Sequence, residues 1–308
     1  AWKRAQIGFR VDWRAELTVQ GDAYKGVVDQ ANAGQQHISG ANLLARWTHA
    51  LSGGDSVQAQ AYIDQTQLEV PGAPGIGTLA ERLNIYDVEL QYNMKRIDAH
   101  TVTWGAGYRL ARDHLNNSPV IAFLPDQRNL TWADVFIQDV IALKDDLNLT
   151  AGVRGEHNSY TGFEVLPSVR LSWKLDPQNL VWGGVSRAVR TPSRLDRDLY
   201  SPAQPPFVIA GGPNFRSETS DVFELGLRAQ PTATLSYSIT AFHHIYNHLR
   251  SVELIDGSYF SVANQMEGNA SGVEAWANWQ VTRNWRLSAG AMVLDQILKL
   301  RPDSTDPK

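Results

Sequence analysis

The chain has 308 residues, no cysteine and a formal charge of -4, with 43% hydrophobic and 19% charged residues. Without cysteine there is no disulfide framework, thiolate metal site or thiol nucleophile, and the mild acidity lacks the clustered basic excess of a nucleic-acid binder, so no nucleic acid is expected as a partner. No run of about 18 apolar residues occurs, which excludes a transmembrane helix. A mean hydropathy of -0.30 does not exclude a transmembrane β-barrel, whose alternating strands average out as polar.

No initiator Met or signal pattern opens the chain, which enters a strand at about Gln6 to Trp13 with Ile7, Phe9, Val11 and Trp13 on one face. A turn near Ala15 leads to a partner strand ending near Val27, and a Gly- and Gln-rich loop is expected to Gly40. Next come Ala41 to Trp47, the turn LSGGDS, and Val57 to Gln65, where Gln58, Gln60, Tyr62 and Asp64 share a polar face. After the loop from Pro71 to Gly77, the strand through Tyr86, Val88, Leu90 and Tyr92 turns at KRID into Val102 to Leu110. A loop over 113–128 precedes Leu130 to Leu143, where both faces carry apolar residues and the pattern leaves the outward face open.

From Leu147 the alternation is cleanest. Leu147, Leu149, Ala151 and Val153 alternate with Asn148, Thr150, Gly152 and Arg154, and Val169, Leu171 and Trp173 with Ser168, Arg170, Ser172 and Lys174. Beyond a third strand, a long polar loop is expected from about Arg190 to Ser220. Strands near Val222–Arg228 and Leu235–Ile245 follow, then a loop from Leu249 to Asn264 containing a small hairpin signal (IDGS), and a last pair at Val273–Trp279 and Trp285–Val293. The pattern predicts an all-β, antiparallel, up-and-down transmembrane β-barrel segment of about fourteen strands with no helix, in which 1–308 is part of a single barrel domain. Both ends read as cut rather than finished.

Three features select the membrane. Tight turns alternate with longer loops, so one rim is short and the other variable, with a short Ser159–Glu164 connection as the exception. Ten residues at about 3.3 Å each, tilted about 45°, span roughly 23 Å, close to the apolar band of an outer-membrane barrel. Trp13, Trp47, Tyr92, Trp173, Tyr237, Trp279 and Trp285 each sit at a strand end beside a short turn, in the apolar register. Such rings collect at a membrane interface as a girdle; in a soluble sandwich they would be core and scattered along the strands.

The segments DVFIQDVIALKDDLNLTAGVRGEHNSYTGFEVLPSVRLSWKLDPQNLVWGGVSRAVRTPSRLDRD, FELGLRAQPTATLSYSITAFHHIYNHLRSVEL and NASGVEAWANWQVTRNWRLSAG resemble the barrel part of TonB-dependent outer-membrane receptors. The resemblance covers most of the chain and is strongest from about Asp134 to Gly290. It implies a 22-stranded barrel plugged by an N-terminal domain, placed in the bacterial outer membrane against its lipid. It further implies import of a small, scarce nutrient such as a siderophore or cobalamin, energised by the TonB complex through the plug, with no cofactor and no enzymatic activity. The plug, the energy-coupling box and the aromatic-terminated last strand are not found in the sequence, so the chain reads as an internal barrel fragment. A passive porin-type channel, with a long loop folding inward, and a soluble secreted all-β binding protein, with its apolar faces packed together, are the alternatives.

Site candidates follow. In SRAVRTPSRLDRD, Arg187, Arg190, Arg194 and Arg197 stand with Asp196 and Asp198. Guanidinium forks suit an anionic or chelated ligand, while the alternative is ion pairing that holds the loop together. Arg154, Glu156, Arg170, Glu224, Arg228, Glu274 and Arg286 are expected to face the lumen, bonding a plug or water. A hairpin centred on Gly162 would set Arg154 opposite Arg170, with Glu156 diagonal. His243 and His244 are adjacent on a strand and point to opposite faces, so with His248 they are not expected to hold a metal. No nucleophile elbow, phosphate loop or metalloprotease motif appears.

Overall fold

The computed structural model describes residues 1–31, 33–73 and 75–307. The alternating pattern becomes an antiparallel meander. It begins with β1 (Trp2–Trp13), β2 (Leu17–Gln30), β3 (Gly34–Ala50), β4 (Ser56–Pro71), β5 (Thr78–Asn93) and β6 (His100–Asn116). A short β7 (Ala122–Phe123) precedes β8 (Gln127–Lys144), β9 (Leu147–Asn158), β10 (Gly162–Lys174) and β11 (Asn179–Arg190). A one-turn helix α1 (Arg194–Arg197) and short β12 (Leu199–Ser201) and β13 (Ile209–Ala210) follow. The chain closes with β14 (Glu218–Thr232), β15 (Leu235–Ile255), β16 (Tyr259–Thr282) and β17 (Trp285–Leu300).

Apart from β7, β12 and β13, fourteen strands of at least twelve residues remain, each long enough to cross a bilayer at a tilt. Each long strand pairs with the next, β6 with β8 and β11 with β14 across the short ones. Among the described residues, β1 pairs only with β2 and β17 only with β16.

The two faces differ in what covers them. Ile7, Leu225 and Val293 on the apolar face are 77%, 61% and 75% exposed, and no second layer of the chain packs on that face among the described residues. That is the bare outer face of a barrel, and it removes the soluble packed-sandwich reading. The polar face carries the 191–217 segment, and the buried apolar side chains Ala111, Leu115, Ala122, Leu130 and Phe215 lie beneath or within that cover. In β8 this decides the open question. Val135, Ile137 and Leu143 take the bare face, while Leu130 and Trp132 face inward and are capped by the segment.

Several expected loops are strand. β2 and β3 stay in register up to Gln30↔Gly34, and β15 and β16 pair up to Ile255↔Tyr259 across register shifts between Tyr246 and Ser251, so the IDGS signal is the hairpin tip itself, with Gly257 at φ +67°. The β2–β3 extension is largely polar, stitched by pairs such as Gln30 Nε2–Gln36 Oε1 at 2.7 Å, whereas the β15–β16 extension keeps the apolar pairs Val252↔Val262 and Leu254↔Phe260 on one face. A strand that has left the bilayer needs no apolar half, so alternation can lapse, as it does in the β2–β3 extension, although the ladder continues. The helix in the long loop was likewise not foreseen.

The β9–β10 register also differs from expectation. Arg154 lies opposite Leu166, and Arg170 opposite Thr150, because the turn centres on Tyr160 rather than Gly162. Asn158 sets that centre: its Oδ1 accepts from the amides of Tyr160 (3.0 Å) and Thr161 (2.9 Å), an Asx turn. Gly162 then closes the turn at φ +78°.

Candidate functional site

The long segment is turned inward by its own sequence. Pro192 supplies no N–H to extend β11, and Ser193 begins the helix, donating its amide and hydroxyl to Asp196 at 2.9 Å each. The single turn of α1 then lies on the polar face and plants its charges there. Arg194 donates to Asp113 Oδ2 of β6 at 2.8 Å and to Asp198 Oδ2 at 3.0 Å, and reaches the Pro125 carbonyl. Its side chain is 7% exposed, and those of Asp113 and Asp198 are 5% and 4%. Asp198 also accepts from Arg128 (2.8 Å) and from the Tyr160 hydroxyl (2.8 Å). Burial, and then that bond to Asp198, push the Tyr160 phenol above its usual pKa, so it remains a donor.

Asp196 is fully buried and takes Arg190 at 2.9 Å and Arg250 at 3.5 Å, while Arg190 also pairs with Glu218. Burial alone would raise the Asp196 carboxyl, but the bonds from Arg190 and Ser193 outweigh it and hold the group below the usual carboxylate value. The segment's return path is equally tight: at Gly212 a Cβ would meet the carbonyl oxygens of Val262 and Asp196 at 2.4 and 2.5 Å.

A pH dependence follows from Asp196. Its folded pKa lies below the unfolded value, so its contribution is complete above about pH 4 and disappears as pH falls through the lower folded value. Amide exchange in 191–217 should be flat from pH 7 to about 4.5, after correction for intrinsic rates, and accelerate below that. Acceleration between pH 7 and 5 would contradict the assignment.

Of the six loop charges picked from sequence, the structure brings Arg190, Arg194, Asp196 and Asp198 into this network. Arg197 sits beside it: its guanidinium donates to the carbonyls of Tyr160 (2.7 Å) and Pro213, with no carboxylate within 4.0 Å among the described residues. Arg187 stands apart. It belongs to β11 in the register of Val185, on the outer face, forked on Asp221 at 2.8 and 3.1 Å. Asp113, Arg128, Tyr160, Glu218 and Arg250 complete the network and were not picked. They lie up to 81 residues from Arg194, and nothing in the spacing pairs them.

Below the loop, the inner face carries Arg154 between Asp134 (3.0 Å) and Glu156 (3.4 Å). Arg170 is 3.7 Å from Glu224 and lies over the Trp182 ring at 4.7 Å. Arg228 and Glu274 share that face by register, as does Arg286, bonded to Asn278 at 3.2 Å. On the outer face at the short-turn rim, Trp13, Trp47, Trp173, Trp279 and Trp285 are exposed, and the partly covered Tyr92 stacks on Trp104. Tyr237 shares that register. His243 bonds Ser271 on the outer face, and His244 bonds Tyr246 on the inner one.

The inward loop is also what a passive channel would show, so geometry alone leaves that reading standing. Comparison with known families decides it: the description TonB dependent receptor-like, beta-barrel, matches residues 3–302. The chain belongs to the TonB-dependent receptor β-barrel family. The passive-channel reading falls with that match, and the strands of this receptor barrel cross the bacterial outer membrane.

Similar proteins agree in fold. The iron-regulated outer membrane virulence protein of Vibrio cholerae is 37% identical over 117 residues, 38% of this chain and 18% of that protein. The ferric enterobactin receptor of Pseudomonas aeruginosa, solved as a mutant with enterobactin, superposes with a TM-score of 0.78 at 15% identity, over 98% of this chain and 56% of that one. The FrpB iron transporter of Neisseria meningitidis gives 0.74 at 14% identity, over 99% and 52%. The chain thus spans about half the length of these solved structures. For this receptor barrel the polar face is the lumen, and the α1 network lies at its long-loop end.

Proposed function

We propose that this barrel is the wall and outer mouth of a receptor that imports an iron–siderophore complex, with energy supplied by the TonB complex. The family match across residues 3–302 carries the reading. The receptor for ferric enterobactin and the iron-regulated Vibrio protein among its relatives support iron as the cargo. On this reading the protein is a transport receptor rather than an enzyme, residues 1–308 belong to one barrel domain, and its partners are outer-membrane lipid, TonB and a small chelate.

Within the mouth, Arg197 and Arg216 are the loop guanidiniums with no carboxylate within 4.0 Å among the described residues; Arg197 is the half-buried one, and burial lowers its pKa without removing its charge. It is the group we assign to the anionic ligand, whereas Arg190 and Arg194 act by folding the loop. The test is uptake of radiolabelled ferric siderophores by iron-starved cells carrying the full-length protein. Uptake should require TonB and fall roughly tenfold with Arg197→Ala. TonB-independent uptake, or none of any iron chelate, overturns the function; unchanged uptake in the variant overturns only the role of Arg197.

A further inference from the structure

On β2 to β6 the outer face changes character over two steps of the ladder toward the long-loop end. Leu43, Ile63, Tyr86 and Leu110 stand side by side as the last row that is apolar throughout. Two residues further along each strand the row reads Ala41, Gln65, Asn84 and Arg112. The next reads Lys25, Ser39, Gln67, Arg82 and His114. A step of two residues is about 7 Å, so at a tilt of about 45° the two rows lie roughly 5 and 10 Å beyond the apolar band. That is the depth of a lipid head group.

In a chain of net charge -4, this sector is locally basic. Lys25, Arg82 and Arg112 are exposed and have no carboxylate within 4.0 Å among the described residues, and Arg112 lies over the Tyr86 ring at 5.7 Å. The carboxylates of the same face stand farther out: Glu69, opposite His37, is one step beyond the Lys25 row, and Asp29 is two. A cleft of about 310 Å³ opens between Lys25, His37, Arg82 and His114, where the short Ser39 leaves room. On β11 the outer-face cation is already matched, since Arg187 is forked on Asp221. Exposed cations in open water need no partner. These differ in standing directly above hydrocarbon, where guanidinium and ammonium groups meet anionic head groups and their stems lie along apolar surface.

We propose that this cleft binds a phosphate carried on the head group of an outer-leaflet lipid. Arg82 and Lys25 are its principal donors, with Arg112 one step nearer the bilayer and the ring N–H groups of His37 and His114 beside them. The apolar row through Ile63 and Tyr86 lies directly beneath and takes the acyl chains, so the occupant is a lipid rather than a free anion. The site rests on the outer face meeting lipid and does not depend on which chelate is imported.

The test titrates the delipidated full-length protein in neutral detergent with diphosphorylated lipid A and counts retained lipid by native mass spectrometry. Retention should be saturable, absent for the dephosphorylated lipid, and roughly tenfold weaker in R82Q/R112Q. R187Q, which removes a cation already paired, should leave it unchanged. Inorganic phosphate, compared with chloride at equal ionic strength, should not displace the lipid. Equal retention of the dephosphorylated lipid or undiminished retention in R82Q/R112Q overturns the proposal. So does an equal loss in R187Q, the mark of diffuse charge, or displacement by inorganic phosphate, the mark of a free-anion site. Both arginines are exposed and hold no carboxylate, so the double variant should melt with the unmodified protein. If it melts lower, K25Q gives the same reading, with a few-fold loss expected and no loss overturning the site.

Discussion

Replacing Arg194 by alanine should release the 191–217 segment from the lumen wall while the long strands keep their pairing. The guanidinium is 7% exposed and sits between Asp113 and Asp198, themselves nearly without solvent. Removing it leaves two buried carboxylates, of which Asp113 loses its single bonded partner and Asp198 retains Arg128 and Tyr160. Breaking a buried pair in this way costs about 3–5 kcal/mol, which exceeds what a one-turn helix and two short strands can recover locally. Amide exchange in the full-length protein should therefore rise throughout 191–217 and stay unchanged in β14 to β17. Combining Arg194→Met with Asp113→Leu replaces the pair by apolar side chains against Phe123 and Leu115, and should restore much of the protection. Protection lost across β6 as well would mean that the segment holds the wall, and not the reverse.

That asymmetry between wall and loop also governs what the sequence discloses. A strand inside the bilayer must alternate, so Val153, Leu171 and Trp173 declare one face and Arg154 and Arg170 the other without reference to any other strand. Register is less local. Four residues' difference in the β9–β10 pairing came from Asn158 capping the turn ahead of Gly162, a side-chain effect that alternation cannot register. Outside the bilayer the constraint lapses, and the polar strand that starts at Gly34 looks like loop. The mouth is least legible of all. Arg194 stands in a conspicuous charged run, but its partner Asp113 lies 81 residues away at the end of an unremarkable strand. Arg187, from the same run, faces the opposite side because it falls one pleat from the loop. Leu130 and Trp132 blurred the β8 pattern for a physical reason: they are lumen residues made apolar by the segment that covers them.

The largest effect on the wall itself is expected from an arginine in place of Leu225. Leu225 stands on the bare face of β14, 61% exposed, with Gly183 and Ala241 as its cross-strand neighbours. Along its strand it lies between Ala229, level with Tyr237 near the short-turn rim, and Asp221, where the outer polar region begins. An exposed leucine in water is nearly indifferent to becoming arginine, whereas one at the bilayer midplane loses about 2–4 kcal/mol. Gln91 provides the contrast: it faces the lumen from β5, bonded to Asn93 at 2.8 Å, and Gln91→Arg should cost little beyond that bond. Folding of the full-length protein into lipid vesicles, titrated with denaturant, would separate the two. A cost at Leu225 that shrinks at Asp221 and at the girdle would trace the depth of the apolar band. Equal tolerance at Leu225 and Gln91 would remove the lipid assignment of the apolar face, since only contact with hydrocarbon makes a charge on that side dearer than a charge in the lumen.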